Sequence, residues 1–237
     1  MTQKHLKRMA SPKSWNVIRK NSKFIIKPSS GPHSVSYGIP LGVLLRESLG
    51  YSSTLRESKK MLNSSEVTVN GKIRKDFKFP VGMFDTIEFA RSNEFFRAIL
   101  NKKGKIDLIK IKKDESMLKP SKVTGKTMVN GKLQLNLYDG TNIIVSNKDY
   151  LVGDTVLLAL NPIKIIKHFK LAKKNTIYLT GGKHIGEIGH VEDVARNKII
   201  YKDENESLVE TSKSYAFVVG DNKPAVTLKQ NGYHEKN

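Results

Sequence analysis

The sequence predicts an α+β protein that is mostly β and is built from several small domains. Its 237 residues suit two or three such domains better than a single one. Both predicted helices lie before residue 65, whereas the chain from Arg91 onwards is rich in alternating β patterns. Asn-Gly and Asp-Gly pairs, which favour tight turns between strands, begin at Asn70, Asn130 and Asp139.

Residues 1–38 form a basic N-terminal arm that contains no acidic side chain, since the first acid of the chain is Glu47. Its lysines and arginines are interspersed with prolines, and no helical or strand period is sustained. We expect this arm to be extended and poorly ordered in free solution, because it has little apolar surface to offset chain entropy. Trp15 either stacks on a base or anchors the arm to the next domain, and packing is the commoner role for a single Trp.

Residues 39–91 have the pattern of a domain with two helices and a small sheet. An apolar segment predicts a buried helix over residues 40–49 that stops at Gly50. Ser53 or Thr54 then caps a second helix. One face of that helix is basic, although a solvated amphipathic helix shows the same pattern. The residues of this face are Arg56, Lys59 and Lys60.

The second helix runs into a predicted hairpin. Residues 67–69 and Ile73 supply β-branched strand positions, and Asn70-Gly71 supplies the turn. A third strand follows and ends at Phe89. A helix and a hairpin that share one cationic edge form a surface suited to phosphates.

Three further regions complete the predicted organisation. Residues 92–172 form a central antiparallel β domain in which leucines at 133, 135 and 137 alternate with polar side chains. Residues 173–220 form a small barrel with glycines at its corners. Residues 221–237 form a polar C-terminal tail.

The charge of the chain points to a polyanionic partner. Lys and Arg number 42 against 22 Asp and Glu, which gives a net charge of +20. Residues 1–186 carry 35 basic and 13 acidic side chains, whereas residues 187–237 carry 7 and 9. A membrane surface is the competing anion, but the chain lacks a basic amphipathic helix with a Trp/Phe/Leu face and a lipidation signal. Nucleic acid is therefore the favoured partner.

The sequence predicts no catalytic site, no cofactor, no metal and no small-molecule substrate. There is no Cys, and the six histidines include no i, i+4 pair with a general-base Glu. The glycines from Gly181 onwards lack the spacing and the Lys-Ser/Thr ending of a phosphate-binding P-loop. The carboxylate pairs Asp85/Glu88 and Glu192/Asp193 suit solvated or hydrogen-bonded structural roles. No apolar run approaches the roughly 18 to 20 residues of a membrane span, so we expect a soluble protein. The lack of Cys and of an N-terminal secretion pattern fits a cytoplasmic one.

Two segments resemble known RNA-associated modules. The helix of residues 56–62, with Val67-x-Val69-Asn70-Gly71 and Asp85-x-Ile87, resembles the small RNA-binding S4 domain. Many members of that domain family place Gly two positions before Val67, where this chain has Ser65. The spacing Gly182-x-x-x-Gly186-x-x-Gly189-x-Val191 resembles the KOW motif of ribosomal proteins and transcription elongation factors, which implies an SH3-like barrel.

Three runs in this order resemble the archaeal and eukaryotic small-subunit ribosomal protein S4e family: HLKRMASPKSW (5–15), SSGPHSVSYGIPLGVLLR (29–46) and VNGKIRKDFKFPVGMFDTI (69–87). The short C-terminal end is similar to that of archaeal members. The resemblance implies a structural protein without catalytic activity that binds small-subunit ribosomal RNA beside neighbouring ribosomal proteins, away from membranes. The RNA-binding residues that it implies are Lys4, His5, Lys7, Arg8, Lys13, Arg46, Arg56, Lys59, Lys60, Lys72, Arg74, Lys75, Lys183 and His184.

Two other classes of protein also carry such modules. An RNA-modifying enzyme would need a catalytic domain, for which residues 91–237 show no pattern. A transcription elongation factor would account for the KOW-like element but not for the arm or for residues 39–91.

Overall fold

The computed structural model describes residues 5–146, 149–203 and 205–229. Its strands form three five-stranded and two two-stranded antiparallel sheets, and its helices are few and short. The predicted fold class, α+β and mostly β with several domains, is confirmed. Lys4 and the end of the predicted tail lie outside the described residues.

The N-terminal arm is pinned to the rest of the molecule. Strand β1 (Leu6–Lys7) pairs with β2 (Phe24–Ile25), and a 3-10 turn, Arg8–Ala10, follows β1. Trp15 is 1% exposed, and its indole Nε1 donates a hydrogen bond to the carbonyl of Gly38 at 3.0 Å. The anchoring role predicted for Trp15 is confirmed, and it gives the arm an apolar attachment that its basic composition does not indicate.

The first predicted helix forms where the apolar segment predicts it. Strand β3 (Gly38–Pro40) leads directly into helix α1, which runs over Leu41–Val43 and continues as a π-helical turn over Leu44–Ser48. Its inward side chains are fully buried, namely Leu41, Val43, Leu44 and Leu45. β3 also pairs with β6 (Pro80–Gly82). None of the helices in the described ranges combines the length and apolarity that crossing a membrane requires.

The second helix, α2 (Leu55–Asn63), starts at a capping box. Thr54 Oγ1 accepts a hydrogen bond from the backbone N–H of Glu57, and the Glu57 carboxylate accepts one from the N–H of Thr54, both at 3.3 Å. These bonds satisfy amides that have no partner inside the helix. The predicted cap at this position is confirmed. α2 ends at Ser64, and Ser65 then turns the chain towards the first strand of the hairpin.

The hairpin belongs to a sheet that continues beyond residue 91. Asn70 and Gly71 have φ of 52° and 70°, as the predicted turn requires. The sheet order is β5 (Lys72–Ile73), β4 (Val67–Val69), β7 (Thr86–Phe89), β8 (Glu94–Leu100) and β9 (Ile106–Lys110). The boundary expected at residue 91 therefore falls between two hydrogen-bonded strands of one sheet.

The central region follows a short helix, α3 (Lys113–Ser116), and has its own small core. Its leucines at 133, 135 and 137 point into this core, as their alternation predicts. Its longest strand carries a bulge between Val123 and Gly125. The sheet order is β12 (Asn142–Val145), β11 (Lys132–Leu137), β10 (Leu118–Val129), β13 (Thr155–Leu160) and β14 (Ile163–Phe169).

Where the sequence predicts a small barrel, the C-terminal strands form one five-stranded antiparallel sheet, which docks on the hairpin sheet. Their order is β18 (Leu208–Ser212), β17 (Lys198–Lys202), β16 (Ile188–Val194), β15 (Thr176–Leu179) and β19 (Ala216–Gly220). The Tyr178 hydroxyl bonds the backbone of Leu100 in β8. Gly186, with φ of 80°, lies so close to Asn101 that an added Cβ would meet its backbone at 2.7 Å. One of the KOW-like glycines is therefore required for packing between domains.

The turn at Ser65 generates a stability prediction. Ser65 has φ of 60°, the left-handed conformation that a glycine adopts at low cost and that costs other residues about 1–2 kcal/mol. We expect Ser65→Gly to raise the free energy of unfolding by about 0.5–1 kcal/mol, after the added entropy of the unfolded chain is subtracted. Urea-induced unfolding followed by circular dichroism measures this change.

Ser64→Gly is the matched control for this prediction. Ser64 has an ordinary φ of −70°, and its Oγ donates a hydrogen bond to the carbonyl of Met61 at 2.8 Å. The same substitution there should lower the free energy of unfolding. Equal effects of the two substitutions would contradict the conformational explanation.

Candidate nucleic-acid interface

Helix α2 separates an apolar face from a basic one. Ser58 and Leu62 are fully buried, and Leu55 and Met61 are partly buried beside them. The predicted basic residues lie on the opposite side and are all exposed, namely Arg56, Lys59 and Lys60. Glu57, the single acid of this helix, is engaged in the capping box. The outer face of α2 therefore presents positive charge.

The segment after the hairpin turn extends this basic face. Lys72 and Lys75 are exposed, and the guanidinium of Arg74 lies over the ring of Phe79 at 4.3 Å from its centroid. The ammonium of Lys59 in α2 lies over the ring of Phe77 at 4.7 Å. These cation–π contacts place side chains of the helix and of the hairpin segment on one surface. The structure thus supports the shared cationic edge that the sequence predicts.

The cations of this surface have no acidic partner. Among the described residues, no carboxylate oxygen lies within 4.0 Å of a charged nitrogen of Arg56, Lys59, Lys60, Lys72, Arg74 or Lys75. Two lysines of the C-terminal unit differ, because Lys198 pairs with Glu210 at 2.5 Å and Lys202 with Glu192 at 2.7 Å. Clustered cations without counter-charges repel one another, and an external polyanion would relieve that repulsion.

The arm residues proposed to touch RNA fall into two groups. His5, Lys7 and Lys13 are exposed, but Arg8 is 1% exposed. Both terminal nitrogens of the Arg8 guanidinium donate to the carboxylate of Glu47, one of them at 3.0 Å, and Nε donates to the carbonyl of Ile18. The assignment of Arg8 to RNA is therefore corrected. Once buried, its charge needs Glu47 as a partner, so Arg8 serves to hold the arm against α1.

The remaining predicted residues occupy other surroundings. Arg46 donates to Glu47 at 3.1 Å, and its side chain is 23% exposed. In the C-terminal unit, Lys183 is exposed, whereas His184 Nδ1 lies 2.9 Å from a carboxylate oxygen of Glu187. Their loop lies beside the turn between β8 and β9, where a Cβ added at Gly104 would meet the Ile185 side chain at 3.2 Å. Lys183 and His184 thus belong to a different element from the basic face of α2.

A buried network of charged and polar groups fixes the hairpin against the central sheet. Asp85 is fully buried, and its Oδ1 accepts hydrogen bonds from Lys119 Nζ at 2.6 Å and from Asn70 Nδ2 at 2.7 Å. Asp85 also lies 2.8 Å from His33 Nε2, and Lys119 bonds Asp139 at 2.7 Å. Asn70 is the first residue of the hairpin turn, so the network connects that turn to β10.

In this network, charge pairing affects the pKa values more strongly than burial does. Burial by itself would raise the pKa of Asp85, but Lys119, His33 and Asn70 bring that pKa far below its ordinary value. The pKa of Asp139 is also lowered, because Lys119 outweighs the effect of its burial. The pKa of Lys119 is raised, since its two carboxylates outweigh desolvation. All three groups therefore stay ionised at neutral pH.

Sequence reasoning identified only part of this network. The hydrogen-bonded structural role expected for Asp85 is confirmed. Lys119 and Asp139 lie 34 and 54 positions further along the chain, and His33 lies in the arm. No local pattern joins these residues. Phe77 and Phe79 do carry a signal, because two aromatic residues flank Lys78 shortly after the basic residues of the hairpin.

Comparisons with known proteins agree with this architecture, in which a helix–hairpin domain of the RNA-binding S4 class lies between a basic arm and further β domains. The RS4NT domain matches residues 2–36, the S4 domain matches residues 40–87, and Ribosomal family S4e matches residues 92–165.

Curated relatives match the chain over almost its whole length. Small ribosomal subunit protein eS4 of Methanococcus aeolicus is 38% identical over 95% of this chain and 97% of its own. The protein of the same name from Methanocella arvoryzae is 41% identical over 94% of this chain and 96% of its own. The chain therefore belongs to the ribosomal protein S4e family.

A solved structure supports the fold. The crystal structure of the 30S ribosomal protein S4e from Thermoplasma acidophilum superposes with a TM-score of 0.68 at 28% sequence identity. The superposed region covers 78% of this chain and 96% of the Thermoplasma acidophilum chain.

The network predicts a large effect of removing its single lysine. Lys119→Met leaves Asp85 and Asp139 buried without their shared cation, and breaking a buried ion pair in this way costs about 3–5 kcal/mol. We expect the free energy of unfolding, measured by urea titration at pH 7, to fall by that amount. Lys132→Met, at an exposed position of β11, is the control and should change it by less than about 0.5 kcal/mol.

The lowered pKa values of Asp85 and Asp139 predict that acid destabilises the fold. Below the pKa of about 3.9 for an Asp in the unfolded chain, the unfolded state binds protons that the folded state does not bind. We expect the free energy of unfolding to fall as pH decreases from about 4 towards the folded pKa values. Urea titrations between pH 6 and pH 2 measure the fall. Asp139→Asn should make it shallower, and an unchanged slope would refute the contribution of Asp139.

Proposed function

We propose that this protein is a non-catalytic constituent of the small ribosomal subunit in the cytoplasm and binds ribosomal RNA through phosphate and shape contacts. The main observation that supports this proposal is the unpaired basic face formed by α2 and the hairpin segment. The relatives that share most of its length are named as small ribosomal subunit proteins, which supports the same assembly for this chain. Its partners are small-subunit ribosomal RNA and adjacent ribosomal proteins.

The mechanism follows from the types of charge on this face. Lys side chains are mobile point charges that bind phosphates without reading base edges. Each phosphate contact releases condensed counterions, so affinity falls steeply as salt increases. The rigid placement of the hairpin by Asp85 and Lys119 holds these cations in a fixed geometry. RNA shape, rather than a base sequence, then selects the site.

The exposed cations of the arm extend the same footprint. His5, Lys7 and Lys13 lie on a segment that Trp15 anchors in the core it shares with the S4 domain. Two separately anchored basic elements can contact separate RNA helices. In this proposal the protein acts as a staple between them and supports assembly of the subunit.

The double substitution Arg56→Ala with Lys60→Ala tests the proposal. We expect it to weaken binding to a transcript of archaeal small-subunit ribosomal RNA by about tenfold or more, and to reduce the slope of log affinity against log salt by about 1.5–2. Fluorescence anisotropy at four salt concentrations measures both quantities. Unchanged affinity at every salt concentration would refute the role of this face.

A matched control removes the same amount of charge elsewhere. Lys198→Ala with Lys202→Ala also removes two cations, but both are paired with glutamates in the C-terminal unit. This variant should bind with nearly unchanged affinity and slope. An equal loss in both double variants would indicate an effect of net charge alone.

A further inference from the structure

A cleft lies between the arm and the S4 domain, on the same side as the segment after the hairpin. Its volume is about 500 Å³, which lies in the range of sites that hold small ligands, about 300–1,000 Å³. The arm contributes β1 and β2 to its wall, and the S4 domain contributes α1 and α2. Its apolar and aromatic lining includes Phe24, Ile26, Leu55 and Phe77.

Phe24 of the short strand β2 lies half exposed at the edge of the cleft. The period of β2 turns Ile25 into the core and leaves Phe24 47% exposed at the cleft. The ring of His5 packs at a tilt against it, with 5.5 Å between the centroids, and the ammonium of Lys23 lies 5.5 Å from the Phe24 centroid. An aromatic face framed by a His ring and a cation is thus open to solvent.

Phe77 provides a second ring with the same kind of surroundings. The ammonium groups of Lys59 and Lys78 lie 4.7 and 5.7 Å from its centroid. Phe77 comes from the S4 domain, whereas Phe24 comes from the arm, so the cleft exists only when the two are docked. The ion pairs of Arg8 with Glu47 and the burial of Trp15 hold them together.

The charge of the cleft is one-sided. Its lining contains Lys27, Arg46, Lys78 and His5 and no acidic residue. Two acids adjoin lining residues in sequence: Glu47 pairs with Arg8 and Arg46, and Asp76 accepts hydrogen bonds from Ser29 Oγ and the backbone N–H of Lys78. Aromatic faces next to cations match a nucleotide, in which a flat base is joined to an anionic phosphate.

We propose that this cleft binds one unpaired nucleotide of the RNA, whose base stacks on Phe24 or Phe77 and whose phosphate lies against the lining cations. The proposal rests on the proposed function, because it requires RNA at the adjacent basic face, and it adds recognition of a base. A nucleotide held in a base-paired helix cannot enter the cleft, so this site selects a loop, a bulge or a single-stranded end.

Aromatic stacking and phosphate binding can be separated by experiment. Loss of one base–aromatic stack costs about 5- to 150-fold in affinity. We expect Phe24→Leu in the full chain to weaken binding to small-subunit ribosomal RNA within that range, with an unchanged salt slope because no cation is lost. Phe24→Tyr, which keeps the ring, should restore binding. Since Phe24 is half exposed, both variants should fold normally, and circular dichroism checks this.

Photo-cross-linking gives a second readout. Ultraviolet irradiation of the complex, followed by protease digestion and mass spectrometry, should identify a nucleotide attached to a peptide that contains Phe24 or Phe77. The proposal would be overturned if Phe24→Leu binds with unchanged affinity and neither peptide carries a cross-linked nucleotide. The same result is expected if a neighbouring protein, rather than RNA, fills the cleft.

The two proposals fail in distinguishable ways. If only the cleft proposal is wrong, Arg56→Ala with Lys60→Ala still weakens binding while Phe24→Leu does not. If the proposed function is wrong, neither variant changes the affinity.

Discussion

The buried ion pairs of Lys119 are the interaction on which the arrangement of the domains depends. Its ammonium lies between Asp85 of the S4 domain and Asp139 of the central domain, and His33 of the arm completes the group. The charges of Lys119, Asp85 and Asp139 would each cost several kcal/mol to bury alone, so they are tolerable only when they meet. The network therefore specifies one relative placement of three segments, and with it the position of the hairpin turn at Asn70.

The molecule uses its positive charge in two ways. Arg8, Arg97 and Lys119 are buried and paired with carboxylates, and these residues hold segments together. The cations of α2 and of the hairpin segment are exposed, except for the partly buried Arg74, and they have no acidic partner in the described part of the chain. The net charge of +20 counts buried and exposed cations alike, so it does not distinguish the two groups. Burial and pairing distinguish a structural cation from one that is available to RNA, and the basic sequence around Arg8 indicates neither property.

Local chemistry explains why so much of the fold was predictable. Thr54 and Glu57 form a capping box within four residues, and Asn70-Gly71 adopts the positive φ values that its turn needs. Ser65 shows how strongly the surrounding structure constrains a turn, because it takes the left-handed conformation without being glycine. The continuation of the hairpin sheet into β8 and β9 is not predictable in the same way, because strand pairing across the expected domain boundary leaves no local sequence pattern.

By itself, the sequence determined the class of partner, the basic face of α2, the hairpin and the order of the domains. These depend on composition and on residues within one or two turns of each other, where period and propensity are sufficient. Only the tertiary structure decided that Arg8 is buried, that His33, Asp85, Lys119 and Asp139 meet, and that Phe24 and Phe77 face one cleft. Those contacts join positions tens of residues apart, and the physical reason is that desolvation and charge pairing act through space rather than along the chain.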